Sequence, residues 1–253
     1  YVADPNDPVI TVGGGNMIEL TPQGDRESQG QMNLADTNFA RFTMDRAGVL
    51  KYETDLLTDS LSIVGFPKVK LYAKSNPLNA PSGPTDCDFF IRILDVYPDG
   101  KEFFVVEGAV NARAREYARS IAEGHEDDNA PFSNIDIGKV YEYYFQCYPI
   151  AYTFAQGHRI KVLISSSNYP RFQANANVPV YANEFFRRKP SDGRTYFFQG
   201  REYIPRSTVQ RISFAPEYPT HIELPVFGSQ KVVSIKTHNS VNPDWDANLY
   251  PNP

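Results

Sequence analysis

The chain has 253 residues, 41% of them hydrophobic, and a formal net charge of −5. That is enough apolar material for a packed core, which excludes wholesale disorder. No apolar run approaches the roughly 18 residues of a membrane span, and the acidic balance offers no basic patch for a nucleic-acid backbone.

The chain opens at Tyr1 on the pairs Asp4-Pro5 and Asp7-Pro8, with no apolar signal region. It is therefore expected to be a piece of a longer polypeptide, and its compartment stays open. Residues 1–20 read as a stiff extended lead-in ending in a loop at Gly13-Gly14-Gly15. Residues 21–227 read as a β-sandwich with a long insertion at 178–210, and residues 228–253 as a C-terminal extension. The 16 Tyr, 17 Phe and 20 Pro against 3 Met favour strands with Pro-marked connections over helices. Period-two alternation predicts Gly48–Asp55 and then a run in which Val69, Leu71 and Ala73 alternate with lysines and Tyr72. Further strands are predicted at Asp88–Val96, Glu102–Asn111, Val140–Tyr148, Arg159–Ser166, Val209–Phe214, Thr220–Leu224 and Lys231–Lys236. Pro98-Asp99-Gly100 predicts a hairpin, because Pro presets φ and Gly supplies a positive φ. About ten strands with short connections imply an all-β, two-layer antiparallel sandwich or jelly roll. Only Ala112–Glu123 has helical propensity, and helix and loop stay equally open there because three arginines spread charge around it. Cys87 and Cys147 are too few for a disulfide scaffold or a Cys-based zinc site. Both lie in apolar, strand-like surroundings and are expected to be buried free thiols.

No Gly-x-Ser-x-Gly occurs, so the strained turn that exposes a seryl nucleophile is missing. Ser165-Ser166-Ser167 follows a predicted strand but lacks the flanking glycines. The four histidines show neither H-x-x-x-H nor H-E-x-x-H spacing, and Glu123–Asp128 lacks the spacing of a calcium loop. No catalytic residue, metal or cofactor is expected in this chain. His158 invites reading as a base, but no nucleophile is offered nearby. A structural histidine at a strand start, bonded to backbone, is expected instead. Arg159 is expected to pair with Asp86, Asp88 or Asp95. Asp88 and Asp95 are seven apart on one strand and so point to opposite faces; strand-end and turn roles are expected for all three aspartates. Ser165–Asn168, ahead of Pro170, is expected to cap a strand end through local backbone bonds. Gly13, Gly14, Asn16, Met17 and Ile18 form the segment best suited to touch a partner, since glycines permit close approach and Met17 and Ile18 offer adaptable apolar contact.

Several motifs occur in a shared order. They are Asp4-Pro5-x-Asp7-Pro8-Val9 before Gly13-Gly14, Val49-Leu50-x-Tyr52-x-Thr54-x-x-Leu57, and Asp86-Cys87-Asp88-Phe89 leading to Asp95-Val96-x-Pro98-Asp99-Gly100. Gly157-His158-Arg159 then leads to Ser165–Asn168-x-Pro170-x-Phe172, and Pro219-Thr220-His221-Ile222-x-Leu224-Pro225 ends the series. Together they resemble the C-terminal domain of the X-Pro dipeptidyl-peptidase (peptidase S15) and CocE/NonD hydrolase family, which includes cocaine-esterase-like enzymes and α-amino acid ester hydrolases. The resemblance implies a galactose-binding-like jelly roll fused behind an α/β-hydrolase domain, its partner in the same polypeptide. That upstream domain would carry the Ser-His-Asp triad and hydrolyse an X-Pro peptide, an ester or a β-lactam-type amide. The resemblance also places the loop after Gly13-Gly14 toward the acyl pocket. Asp86, Asp88, Asp95, His158, Arg159, Asn168 and Pro170 become structural motif residues. A stand-alone carbohydrate- or protein-binding sandwich is the rival reading, and self-association stays open under either.

Overall fold

A computed structural model describes residues 1–11, 18–20, 26–28, 32–78, 85–179, 196–198, 201–203 and 205–228. Its strands are β1 (Val2–Ala3), β2 (Ile18–Leu20), β3 (Arg26–Ser28), β4 (Val49–Glu53), β5 (Leu61–Gly65), β6 (Lys68–Pro77), β7 (Asp88–Val96) and β8 (Glu102–Asn111). They continue with β9 (Tyr141–Gln146), β10 (Ile150–Phe154), β11 (Arg159–Ser165), β12 (Tyr196–Phe198), β13 (Arg201–Tyr203), β14 (Thr208–Ile212) and β15 (His221–Glu223). Two short helices, α1 (Thr37–Thr43) and α2 (Arg115–Ala122), complete the described elements, α2 continuing a 3-10 turn at Ala112–Ala114.

Two antiparallel sheets face each other. In the first, β6 is central: β14 and β15 pair with successive halves of one edge, β9 pairs with the other, and β1 lies outside β14. The β5–β10 pair runs on from β6 and β9 with Gly65 opposite Ile150. The second sheet has the order β4-β11-β7-β8. This is the all-β jelly-roll sandwich expected from the alternation.

The core follows the same alternation. Val69, Leu71, Tyr143 and Phe145 of the first sheet meet Phe89, Ile91, Ile93, Val106, Ile160 and Val162 of the second. Each such side chain contributes about 1.5–3 kcal/mol by leaving water, and the Phe89 and Tyr143 rings bridge the sheets at 4.8 Å. Gly108 is required where β8 meets the chain after β9: a Cβ there would stand 2.9 Å from both Cα and Sγ of Cys147. Cys87 and Cys147 are both buried and unbridged. Burial raises both thiols, Cys147 to about 12.

The second sheet is also covered on its outer side. Val49, Leu94 and Leu163 pack there against Val9, Leu34, Ala40 and Met44. Ala40 and Met44, four apart, give α1 and the turn after it a common apolar side. The hairpin at Pro98–Gly100 forms, with Gly100 at φ +84 and the Tyr97 N–H donating to the Lys101 carbonyl at 2.8 Å. The open stretch 112–123 becomes a turn and helix, started by Asn111 Oδ1 accepting from the Arg113 N–H at 3.0 Å. Alternation alone does not mark β5, β10 or α1, which are five, five and seven residues long. The predicted strand Lys231–Lys236 lies outside the described residues.

Candidate functional site

The register of the second sheet sorts the motif residues. Ile160 stands opposite Asp95 on β7, so Asp95 faces the main core while Arg159 and Lys161 face the other way. Arg159 therefore does not reach Asp95, and Asp86 and Asp88 lie at the opposite end of β7; it pairs with Glu53 of β4 at 3.3 Å, with its side chain 42% exposed. Lys161 on the same face pairs with Glu53 at 3.2 Å and with Glu102. His158 takes the aspartate instead. Its Nδ1 lies 2.9 Å from Asp95 Oδ1, Asp95 Oδ2 accepts from the Tyr152 hydroxyl at 2.8 Å, and the Tyr97 ring packs tilted against the imidazole at 4.3 Å. The expected backbone bond to the His158 ring is thus replaced by a carboxylate. The carbonyl of His158 accepts from the Leu57 N–H at 2.8 Å. Tyr152 is held protonated, since burial and Asp95 both raise its pKa. The trio ties β7 and β10 to the start of β11, and among the described residues its hydrogen bonds join only His158, Asp95 and Tyr152, with no nucleophile among them.

Asp88 and Asp95 do sit on opposite faces of β7, and Asp88 pairs across the sheet with Asn111. Asp86 and Asp88 gather round the side-chain amides of Asn111 and Asn175 at the sheet end. Strand alternation does not mark those two asparagines or Asn177; the run Asn175-Ala176-Asn177 is a turn signal in the sequence, and Asn177 adopts φ +57.

The serine run does more than cap a strand. Ser165 Oγ bonds locally to the Ser167 carbonyl at 3.0 Å, as expected. Ser166 Oγ, however, meets the Tyr1 hydroxyl at 2.9 Å, and Ser167 Oγ accepts from the Val9 N–H at 2.8 Å. Thr11 donates its hydroxyl to Asn168 Oδ1 at 2.6 Å and its N–H to the Tyr169 carbonyl at 2.6 Å, just ahead of the cis peptide to Pro170. Val9 and Thr11 are buried. Residues 1–11 are thus strapped across the sandwich, not left free of it.

Beneath this strap runs a polar line that alternation does not announce. Asn168 Nδ2 donates to Glu107 Oε2 at 2.7 Å, Arg171 Nε lies 2.9 Å from Glu107 Oε1, and Glu107 stands opposite Arg92 in the sheet. Arg92 is fully buried and donates Nη2 to the Thr43 carbonyl at 2.8 Å; among the described residues its Nε and Nη1 find no hydrogen-bond acceptor. Burial lowers its pKa to about 10 and raises that of Glu107. Above the line the surface is aromatic. Tyr148 is 52% and Tyr169 39% exposed, and the Arg171 guanidinium lies 5.6 Å from the rings of Tyr148 and Phe172.

Gly13, Gly14, Asn16 and Met17, which follow the strap, lie outside the described residues; Ile18 begins β2, paired with Ser28. The acidic run 123–128 borders an open polar cleft of about 420 Å³ with Arg115 and Arg119. Among the described residues no group of three or more His, Cys, Asp or Glu is placed to hold a metal ion, and no helix is long and apolar enough to cross a membrane.

Comparisons with known proteins fit this geometry. Residues 10–223 match the model of the X-Pro dipeptidyl-peptidase C-terminal non-catalytic domain. The chain is 30% identical over 227 residues to cocaine esterase of Rhodococcus sp. (strain MB1 Bresler), covering 89% of this chain and 32% of that protein. Among solved structures, an α-amino acid ester hydrolase superposes with a TM-score of 0.59 at 25% identity, over 90% of this chain and 32% of that one. An aminopeptidase from a marine sediment Thaumarchaeota archaeon shares the fold, with a TM-score of 0.60 at 24% identity over 90% of this chain and 33% of that one. The chain thus spans about a third of the length of the relatives it matches, and it belongs to the family of X-Pro dipeptidyl-peptidase C-terminal non-catalytic domains.

Proposed function

We propose that this chain is the accessory sandwich of a CocE/NonD-type serine acyl hydrolase, seated against an upstream α/β-hydrolase domain of the same polypeptide. The observation that carries this reading is the match over residues 10–223 to a domain described as non-catalytic, in a chain filling 32% of cocaine esterase. The local chemistry supports it: Ser165, Ser166 and Ser167 are buried and each is engaged in a structural bond. Seryl attack, oxyanion stabilisation and acyl-enzyme hydrolysis would then belong to the upstream domain. Its substrate would be an X-Pro peptide, an ester or a β-lactam-type amide.

The docking face in this reading is the surface around the strap, formed by Tyr148, Tyr169 and Arg171, where exposed rings and an arginine are the residue types that anchor interfaces. Gly13, Gly14, Asn16, Met17 and Ile18, which follow Thr11, would border the acyl pocket. A fluorophosphonate that labels activated serines tests the division of labour. In the full-length protein the label should fall upstream of Tyr1, and the 253-residue chain should neither take label nor turn over X-Pro amides or esters. Label on Ser165, Ser166 or Ser167 would overturn the reading.

A further inference from the structure

Asp86 and Asp88 flank Cys87 at the entry to β7, and their carboxylates converge on the same two amides. Asn111 Nδ2 lies 3.3 Å from both oxygens of Asp86 and 2.8 Å from Asp88 Oδ1. Asn175 Nδ2 lies 3.3 Å from Asp86 Oδ2 and 2.9 Å from Asp88 Oδ1. Asp86 also accepts from the Cys87 N–H at 2.9 Å and is 2% exposed. Two ionised carboxylates gathered round shared donors in a buried site repel each other, and one proton between them removes the repulsion.

The surroundings supply little compensation. Arg113, from the 3-10 turn, is the cation that draws Asp86 down. Tyr143 of β9 and the Cys87 thiol also face the pair, and burial keeps both in their uncharged forms. Residues 174–178 carry no charge, and Arg206 beyond them donates Nε to the Asn177 carbonyl at 3.0 Å. Burial first, then Asp88, raises Asp86 to about 7, and burial raises Asp88 as well.

What the pair holds is a clasp. Asn175, fixed by the carboxylates, accepts through Oδ1 from the Asn177 N–H at 2.8 Å. Asn177 Nδ2 in turn donates to the Ala3 carbonyl at 3.1 Å and to the Arg206 carbonyl at 2.8 Å. The end of β7 is thereby linked to β1 and to the approach to β14.

We propose that Asp86 and Asp88 act as a one-proton clasp: sharing a single proton they secure residues 174–178 and the N-terminal strand seated on them, and losing it loosens both. The two groups titrate as a coupled pair. Because the folded-state pKa of Asp86 is raised, the folded chain keeps a proton that the unfolded chain gives up. Stability from this source is therefore fully present in acid and falls as pH rises from 3.8 to about 7.

Amide hydrogen exchange on the 253-residue chain tests the clasp, corrected for the intrinsic pH dependence and referenced to Ile91 in mid-β7. Protection of the Asn177 and Gln210 N–H groups, the latter bonded to the Tyr1 carbonyl at 2.8 Å, should fall about tenfold between pH about 6 and about 8.5. Asp88→Asn, which removes the like charge but not the burial, should show a clearly smaller fall across that range. Flat protection in the parent chain, or the same fall in Asp88→Asn, overturns the proposal. Should Asp88→Asn fail to fold, the infrared C=O band of a protonated carboxyl decides: it should be present at the lower pH and lost at the higher, and its absence at the lower pH also overturns the proposal.

Discussion

The two faces of the β4-β11-β7-β8 sheet are buried by different means. The inner face is a ladder of Phe89, Ile91, Ile93, Val106, Ile160, Val162 and Ile164, matched by a second sheet. The outer face has an apolar centre, Leu94, Leu163 and Val49 under Val9, Ala40 and Met44. Charged and polar groups stand to either side of that centre: Lys161, Glu53 and Glu102 on one, and Arg92, Glu107, Asn168 and then Asp88 on the other. The inner face makes the sandwich. The outer face holds segments outside the named strands, residues 5–11 of the strap and the loop 166–178, a task in which polar pairs fix geometry.

The contrast can be broken by mutation. Phe89→Ala on the inner face should cost about 3–5 kcal/mol, since it opens a cavity where the sheets meet; a urea unfolding midpoint that hardly moves would place Phe89 outside the core. On the outer face, Glu107→Leu alone should cost about 3 kcal/mol by leaving the buried Arg92 without its cross-strand counter-charge, whereas adding Arg92→Met should recover part of the loss. Additive losses in that double-mutant cycle would mean the two residues do not act as a pair. Gly108→Ala should cost about 1–3 kcal/mol because the new methyl meets the Cys147 backbone, and a neutral effect would show that the sheets can shift there. Arg159→Ala should change stability by less than about 1 kcal/mol, as its ion pair is largely solvent-screened.

The inner face was legible because period-two alternation marks β6 and the first half of β11, and the predicted bounds Asp88–Val96 and Glu102–Asn111 agree with β7 and β8. The outer face was harder. Arg92 and Glu107 are 15 positions apart and meet only through the strand register, which sequence does not supply. One sign was present: Phe90, Leu94 and Val96 share a face with Arg92, and three apolar neighbours mark a covered face. The Arg159 expectation failed for the same reason. Adjacent residues on a strand face opposite ways, so if His158 reaches Asp95, Arg159 does not. The strap itself was unreadable because Ser166, Ser167 and Asn168 reach partners about 160 positions away.

In the proposed function, the surface around the strap faces the upstream domain. Hydroxyl-radical footprinting of the full-length protein tests it most directly, with Phe132 and Phe214, 52% and 46% exposed, as references elsewhere on the sandwich. Tyr148 and Tyr169 should be oxidised several-fold more slowly than their exposure in the isolated sandwich requires, while Phe132 and Phe214 react freely. Free oxidation of Tyr148 and Tyr169 in the full-length protein would contradict it.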